Sequence, residues 1–167
     1  MLQQTHIEAN EPPQPAREIV EPLEEPKHLH AKLLFEKWQV HVPEFTIGRE
    51  LPSRALASVL RYLALIEPVG EFEDFRLRLA GTAWLRRFGF EVSGWKLSQL
   101  YQGAELEGWR TRLRETLEHG RPVCCDVKVV GDGGMQLHSE MLSLPVLSPK
   151  AGNGCALVGL FHYDWIH

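Results

Sequence analysis

Three observations in the 167 residues predict an α+β fold: a five-stranded antiparallel sheet with its helices inserted between strands two and three. First, residues 74 to 80 alternate, Phe75, Leu77 and Leu79 against Arg76 and Arg78, the period of a strand with one dry and one charged face. Second, the spacing turns helical after Gly81, where Trp84, Leu85 and Phe88 recur over short pieces punctuated by Gly89 and Gly94. Third, three strand-like runs close the chain, joined by glycine-rich turns at 131–134 and 152–154 that supply the positive φ of tight hairpins.

Taken in order, residues 1–27 hold five prolines and six glutamates against Arg17 and Lys27, a net −4 that leaves residues 28–167 neutral overall. Such a stretch has too little apolar surface to offset its ordering entropy, so it is expected to be a disordered Pro/Glu-rich leader. A flanking helix is predicted from His28 to about His41, with Ala31, Leu34, Phe35, Trp38 and Val42 on one face and Pro43 as its stop; with its connector it fills 28–59. The sheet domain is assigned to 60–167. Its first strand is read at 60–67, the second at 74–80 after a turn, and a full helix at Glu105–His119 carries Leu106, Trp109, Leu113 and Leu117 at helical spacing before Gly120. The last strands are read at Pro122–Val130, Met135–Leu147 and Cys155–Ile166. Phe75, Leu77, Leu79, Leu113, Leu117, Val127, Leu142 and Leu144 form the predicted core.

Composition narrows the function classes. A formal charge of −4 and a pI near 6.1 give no basic footprint for nucleic acid or anionic lipid. The N-terminus lacks a signal-peptide layout and no apolar run approaches the ~18 residues of a membrane helix, so the expected setting is cytoplasmic. Cys124, Cys125 and Cys155 match neither a disulfide framework nor a CxxC pair and read as buried, reduced thiols. Walker, nucleophile-elbow, zinc-protease and dinucleotide motifs are missing from the sequence.

The run Asp74-Phe75-Arg76, Arg78-Leu79-Ala80-Gly81-Thr82, Phe88-Gly89, Ser93-Gly94 and Leu97–Leu100 resembles the PAS family, in particular its stand-alone, single-domain bacterial group. The likeness runs from Trp38 to about residue 163 and includes Leu51-Pro52-Ser53-Arg54-Ala55; the family's usual acidic and proline positions are here Leu56, Ala57 and Ser58. It implies a PAS-like sheet closing a chamber under its helices, and a sensory or interaction module. It also implies an acid before an apolar run, here Glu140 before Met141–Val146. A cone-shaped fold of the nuclear-transport-factor type is the competing architecture, disfavoured because the strand pair precedes the helix cluster.

Candidate pocket residues follow from the chamber: Trp84, Phe88, Trp109, Leu113, Cys125, Leu142 and Phe161 as lining, with His138 and Glu140 on the same face of one strand. A carboxylate two residues from an imidazole can hold it charged or orient it. Rim solvation is the plainer reading of that pair, and core filling the plainer reading of the aromatics. The sheet buries only one face under its own helices, so the stripe carrying Leu34, Phe35 and Trp38 needs either the outer sheet face or a second copy. A homodimer through that helix is the expectation. Function is read as a regulatory module that binds a small ligand, a partner signalling protein in trans, or both; no metal is expected and the cofactor is unassigned. An interaction-only adaptor with a filled core and a small cone-fold enzyme using His138 and Glu140 are the alternatives.

Overall fold

The computed structural model describes residues 17–42, 44–151 and 153–163. Its sheet has six antiparallel strands in the order β1-β4-β5-β6-β2-β3: β1 Arg17–Leu23, β2 Leu63–Val69, β3 Asp74–Ala80, β4 Val123–Gly131, β5 Gly134–Ser148 and β6 Asn153–His162. Helix α1 spans Leu29–His41; α2 Thr82–Phe88, α3 Leu97–Leu100 and α4 Gly103–Leu117 lie between β3 and β4, and a 3₁₀ turn at Ala57–Tyr62 leads into β2. The α+β class and the helices between the second and third strands of the five-stranded core are as expected. The sixth strand is the addition.

That strand lies inside the stretch assigned to a disordered leader. Arg17–Leu23 pairs along its length with β4, from Arg17 opposite Val130 to Leu23 opposite Cys124. Composition misled because the energy holding this segment comes from a ladder and one buried carboxylate rather than from its own apolar content. The rest of the leader, 1–16, lies outside the described residues.

Both sheet faces are covered, which inverts one sequence-based assignment. Met141, Val158 and Leu160 pack with Trp84, Leu97, Trp109 and Leu113 under α2–α4. Leu142, Leu144, Val146 and Phe161 pack instead with Ala31, Leu34 and Trp38 of α1 on the opposite face. The set holding His138 and Glu140 therefore faces α1, not the helices that form the expected chamber. Alternation identifies which residues share a face, but when both faces are dry it carries no sign for which layer covers them.

Helix α1 is fastened to the sheet of its own chain. Leu34 is 0% and Trp38 8% exposed, and the Trp38 indole N–H donates to the Pro145 carbonyl at 2.9 Å. The expected dimer stripe is thus spent on the outer sheet face, the first of the two covers the stripe needed; Phe35 is half-buried beside Trp38, their rings stacked at 5.8 Å.

The predicted strand at 60–67 begins three residues late, its first turn taken by the 3₁₀ element. Pairing of β2 with β3 slips between Leu65 and Ile66, so that Leu65 faces Leu79 and Ile66 faces Leu77. This bulge breaks the alternation: Phe75 and Leu77 are fully buried, whereas Leu79, a predicted core residue, is 63% exposed. Where β3 hands over to α2, Gly81 donates its N–H to Leu63 O, and a Cβ there would lie 2.3 Å from Arg61 O. Only glycine allows α2 to start so close to the 3₁₀ turn.

Candidate functional site

The expected His138–Glu140 pair is not formed. His138 reaches across the ladder to Asp126, Nε2 to Oδ1 at 2.6 Å, and stacks on Tyr163 at 4.5 Å. Asp126 and Glu140 stand directly opposite each other on β4 and β5. Like charges at such a position repel, so each carboxylate needs its own counter-group. Asp126 has His138, with Lys128 Nζ at 3.9 Å.

Glu140, fully buried, is satisfied by the segment entering α1. It accepts the Lys27 N–H at 2.9 Å, the His28 N–H at 3.0 and 3.1 Å, and the Tyr163 hydroxyl at 3.0 Å. Burial, then hydrogen bonding to Glu140 and its charge, hold the Tyr163 phenol well above its ordinary range. Nothing here leaves the carboxylate free to take a proton from a substrate. Its arrangement is that of a latch between the flanking helix and the sheet.

His28 completes the latch. Its Nδ1 accepts the His30 N–H at 3.1 Å and so caps α1, while Nε2 lies 3.0 Å from the His162 carbonyl, an arrangement that requires the neutral ring with its proton on Nε2.

On the other face, the remaining chamber candidates are drawn together and packed. Trp84 and Trp109 are essentially unexposed, with ring centroids 6.3 Å apart; Phe88 stacks on Trp84 at 6.2 Å, and Leu113 and Cys125 belong to the same cluster. The predicted set is therefore split by the sheet: Trp84, Phe88, Trp109, Leu113 and Cys125 on one side, His138, Glu140, Leu142 and Phe161 on the other.

Glu18 is the polar centre of the helical side, and the residue that sequence reasoning missed most completely. Its carboxylate accepts the Trp109 indole N–H at 3.0 Å, the Tyr101 hydroxyl at 3.1 Å and the Arg87 guanidinium at 2.5 Å. Burial, followed by the Glu18 charge, drives the Tyr101 pKa far up, against the opposing pull of Arg87. One glutamate among six in a proline-rich stretch carried no signal of this role.

Two of the surface concavities bear on the site. An apolar groove of about 650 Å³ runs past Ile47, Leu51, Pro52, Leu65 and the exposed Leu79. A polar pocket of about 380 Å³ lies where the first turn of α1, the 3₁₀ turn, the start of α2 and the end of β6 converge; its walls carry His28, His30, Arg61, Tyr62, Arg86 and His162. The Arg61 guanidinium lies over the Tyr62 ring at 4.7 Å and donates to its hydroxyl at 2.5 Å. The His28-x-His30 spacing was visible in the sequence, but its partners come from three other elements.

No helix among the described residues is long and apolar enough to cross a membrane. Neither the curated proteins nor the solved structures provide a match to the chain. The family model described as PAS domain matches residues 26–162, from the approach to α1 through the last residue of β6. PAS domains are sensory and regulatory modules, and a match across most of the length, on a fold with the strand order and helix placement described above, establishes that this chain belongs to the PAS domain family.

Proposed function

We propose that the protein is a non-catalytic regulatory module that passes its signal in trans, by contact with a partner signalling protein. One observation carries this reading: the space under α2–α4, where a PAS chamber would hold a ligand, is filled by Trp84, Trp109, Leu97 and Leu113, all essentially unexposed. A packed interior favours recognition at the surface over recognition inside. The latch of Glu140 on Lys27 and His28 supports it further, because a flanking helix held by a few polar contacts is an element whose docking a partner can bias.

A small-ligand sensor is the second reading, favoured by the polar pocket beside α1 rather than by the interior. The homodimer belongs to the same proposal, with its contact moved from Leu34 and Trp38 to the outer side of α1, where Leu29 and Val40 stand exposed. Native mass spectrometry with light scattering tests these together. The contact reading expects a dimer that Leu29→Glu/Val40→Glu dissociates; a monomeric wild type that retains a stoichiometric small molecule would overturn it in favour of the sensor.

A further inference from the structure

We propose that the polar pocket between α1, the 3₁₀ turn, α2 and β6 binds a small oxyanion, a phosphate or carboxylate group carried by a soluble metabolite. The site lies outside the packed interior and goes beyond the contact reading, which neither requires it nor depends on it.

Its charge is the first argument. Arg61 and Arg86 line the cavity together with the imidazoles of His28, His30 and His162, and among the described residues the lining holds no carboxylate. Neither arginine has an ion-pair partner among the described residues. Two guanidinium-bearing residues on one small cavity favour an anion there, and their planar forks suit phosphate and carboxylate oxygens.

Unused hydrogen-bonding capacity is the second argument. His30 Nδ1 is buried without a partner, whereas His162 is held at Nδ1, 2.8 Å from the Ser139 hydroxyl, and by the Ala83 backbone. Native structures leave few buried polar atoms unsatisfied, and a ligand oxygen beside His30 supplies the partner it lacks. The local field agrees. Burial lowers the His30 pKa, with Arg61 adding to it. Burial also lowers that of His162, where Arg86 and Arg87 add and hydrogen bonding to the Ala83 backbone opposes. Burial is the leading cause at both rings; the smaller part that comes from the arginines is of the kind an anion cancels.

Size narrows the ligand. About 380 Å³ lies near the lower end of the roughly 300–1,000 Å³ of small-molecule sites, which suits a compact metabolite. Placement gives the consequence. The walls come from the capped first turn of α1 and from the core, so an anion seated there ties α1 to the sheet domain and favours its docked state.

The test is an amide-resonance titration of the full chain with inorganic phosphate and, separately, succinate, at ionic strength held constant with sodium chloride. Saturable shifts centred on 28–30, 61–62, 82–86 and 162 are expected with at least one probe, and which probe saturates identifies the oxyanion. Arg61→Gln/Arg86→Gln, at two exposed positions, is expected to weaken binding at least tenfold in a protein whose cooperative thermal melt shows that it is folded. Diffuse, non-saturating shifts with both probes, or undiminished binding by the double variant, would overturn the proposal. Neither outcome bears on the interior or on the dimer, so failure here is distinct from failure of the contact reading.

Discussion

Both carboxylate oxygens of Glu140 accept the backbone N–H of His28, at 3.1 and 3.0 Å, across 112 residues of sequence. This contact fixes where the chain enters α1, and it is made by the acid that the family resemblance singled out. Glu140→Ala strips the acceptor from two peptide N–H groups and from the Tyr163 hydroxyl. An unsatisfied buried donor costs about 1–3 kcal/mol, and water reaches part of this site, so a loss of at least ~2 kcal/mol is expected in urea unfolding, with faster amide exchange in the first turn of α1. A loss under ~1 kcal/mol would show that solvent replaces the carboxylate.

A chain beginning at His28 should melt clearly lower than the whole. It lacks β1, and with it Glu18, whose removal leaves Arg87, Tyr101 and the Trp109 indole without their acceptor. Breaking a buried pair of this kind costs about 3–5 kcal/mol, because the partner charge stays buried. Glu18→Ala in the full chain separates the carboxylate from the strand ladder. If truncation leaves the thermal midpoint unchanged, β1 contributes nothing in solution.

Most of the architecture was legible because it rests on local rules: the period-2 run at Phe75–Leu77, the helical spacing of Trp109 and Leu113, and the glycine turns. What was not legible depends on tertiary context. Leu142 and Glu140 were placed on one face correctly, yet on the wrong layer, since α1 dries the face that alternation alone would leave wet. Leu79 was misjudged because the slip at Leu65/Ile66 reverses its side, and no residue type announces a bulge there. The polar pocket draws on four elements and Glu18 on three partners distant in sequence. Neither has a motif to read.

Leu79 and Leu34 offer a direct comparison of exposed and buried leucine. Leu79 is 63% exposed and Leu34 is 0%. Leu79→Ala should therefore change stability by no more than ~0.5 kcal/mol, while Leu34→Ala, which opens a cavity between α1 and β5, should cost about 2–5 kcal/mol. Equilibrium denaturation of the two variants decides it, and a reversed order would restore the register without the bulge.

The thiols set an alkaline limit on stability. Burial, then the charge of Glu140 and of Cys125 and a hydrogen bond to Glu140, push Cys124 up to about 12, against a lowering backbone contact at Cys125. Burial, then Glu67, push Cys155 up to about 11, with Arg78 opposing. An unfolded thiol ionises near ~8.5. The folded state therefore holds its protons more tightly: its advantage is complete below that value and is lost as pH climbs through the folded values, because between them the unfolded chain sheds protons that the folded chain keeps. Urea unfolding at pH 7.5 and pH 10 should show stability falling with pH, and Cys124→Ala should reduce that fall by about 2 kcal/mol, since pH 10 lies ~1.5 units above the unfolded thiol and each unit is worth ~1.4 kcal/mol. The same burial predicts that Ellman's reagent at pH 8 modifies neither Cys124 nor Cys155 until denaturant is added. Rapid modification of the native protein, or a pH dependence identical in Cys124→Ala, would mean that β4 opens far enough to admit water to the Glu140 latch.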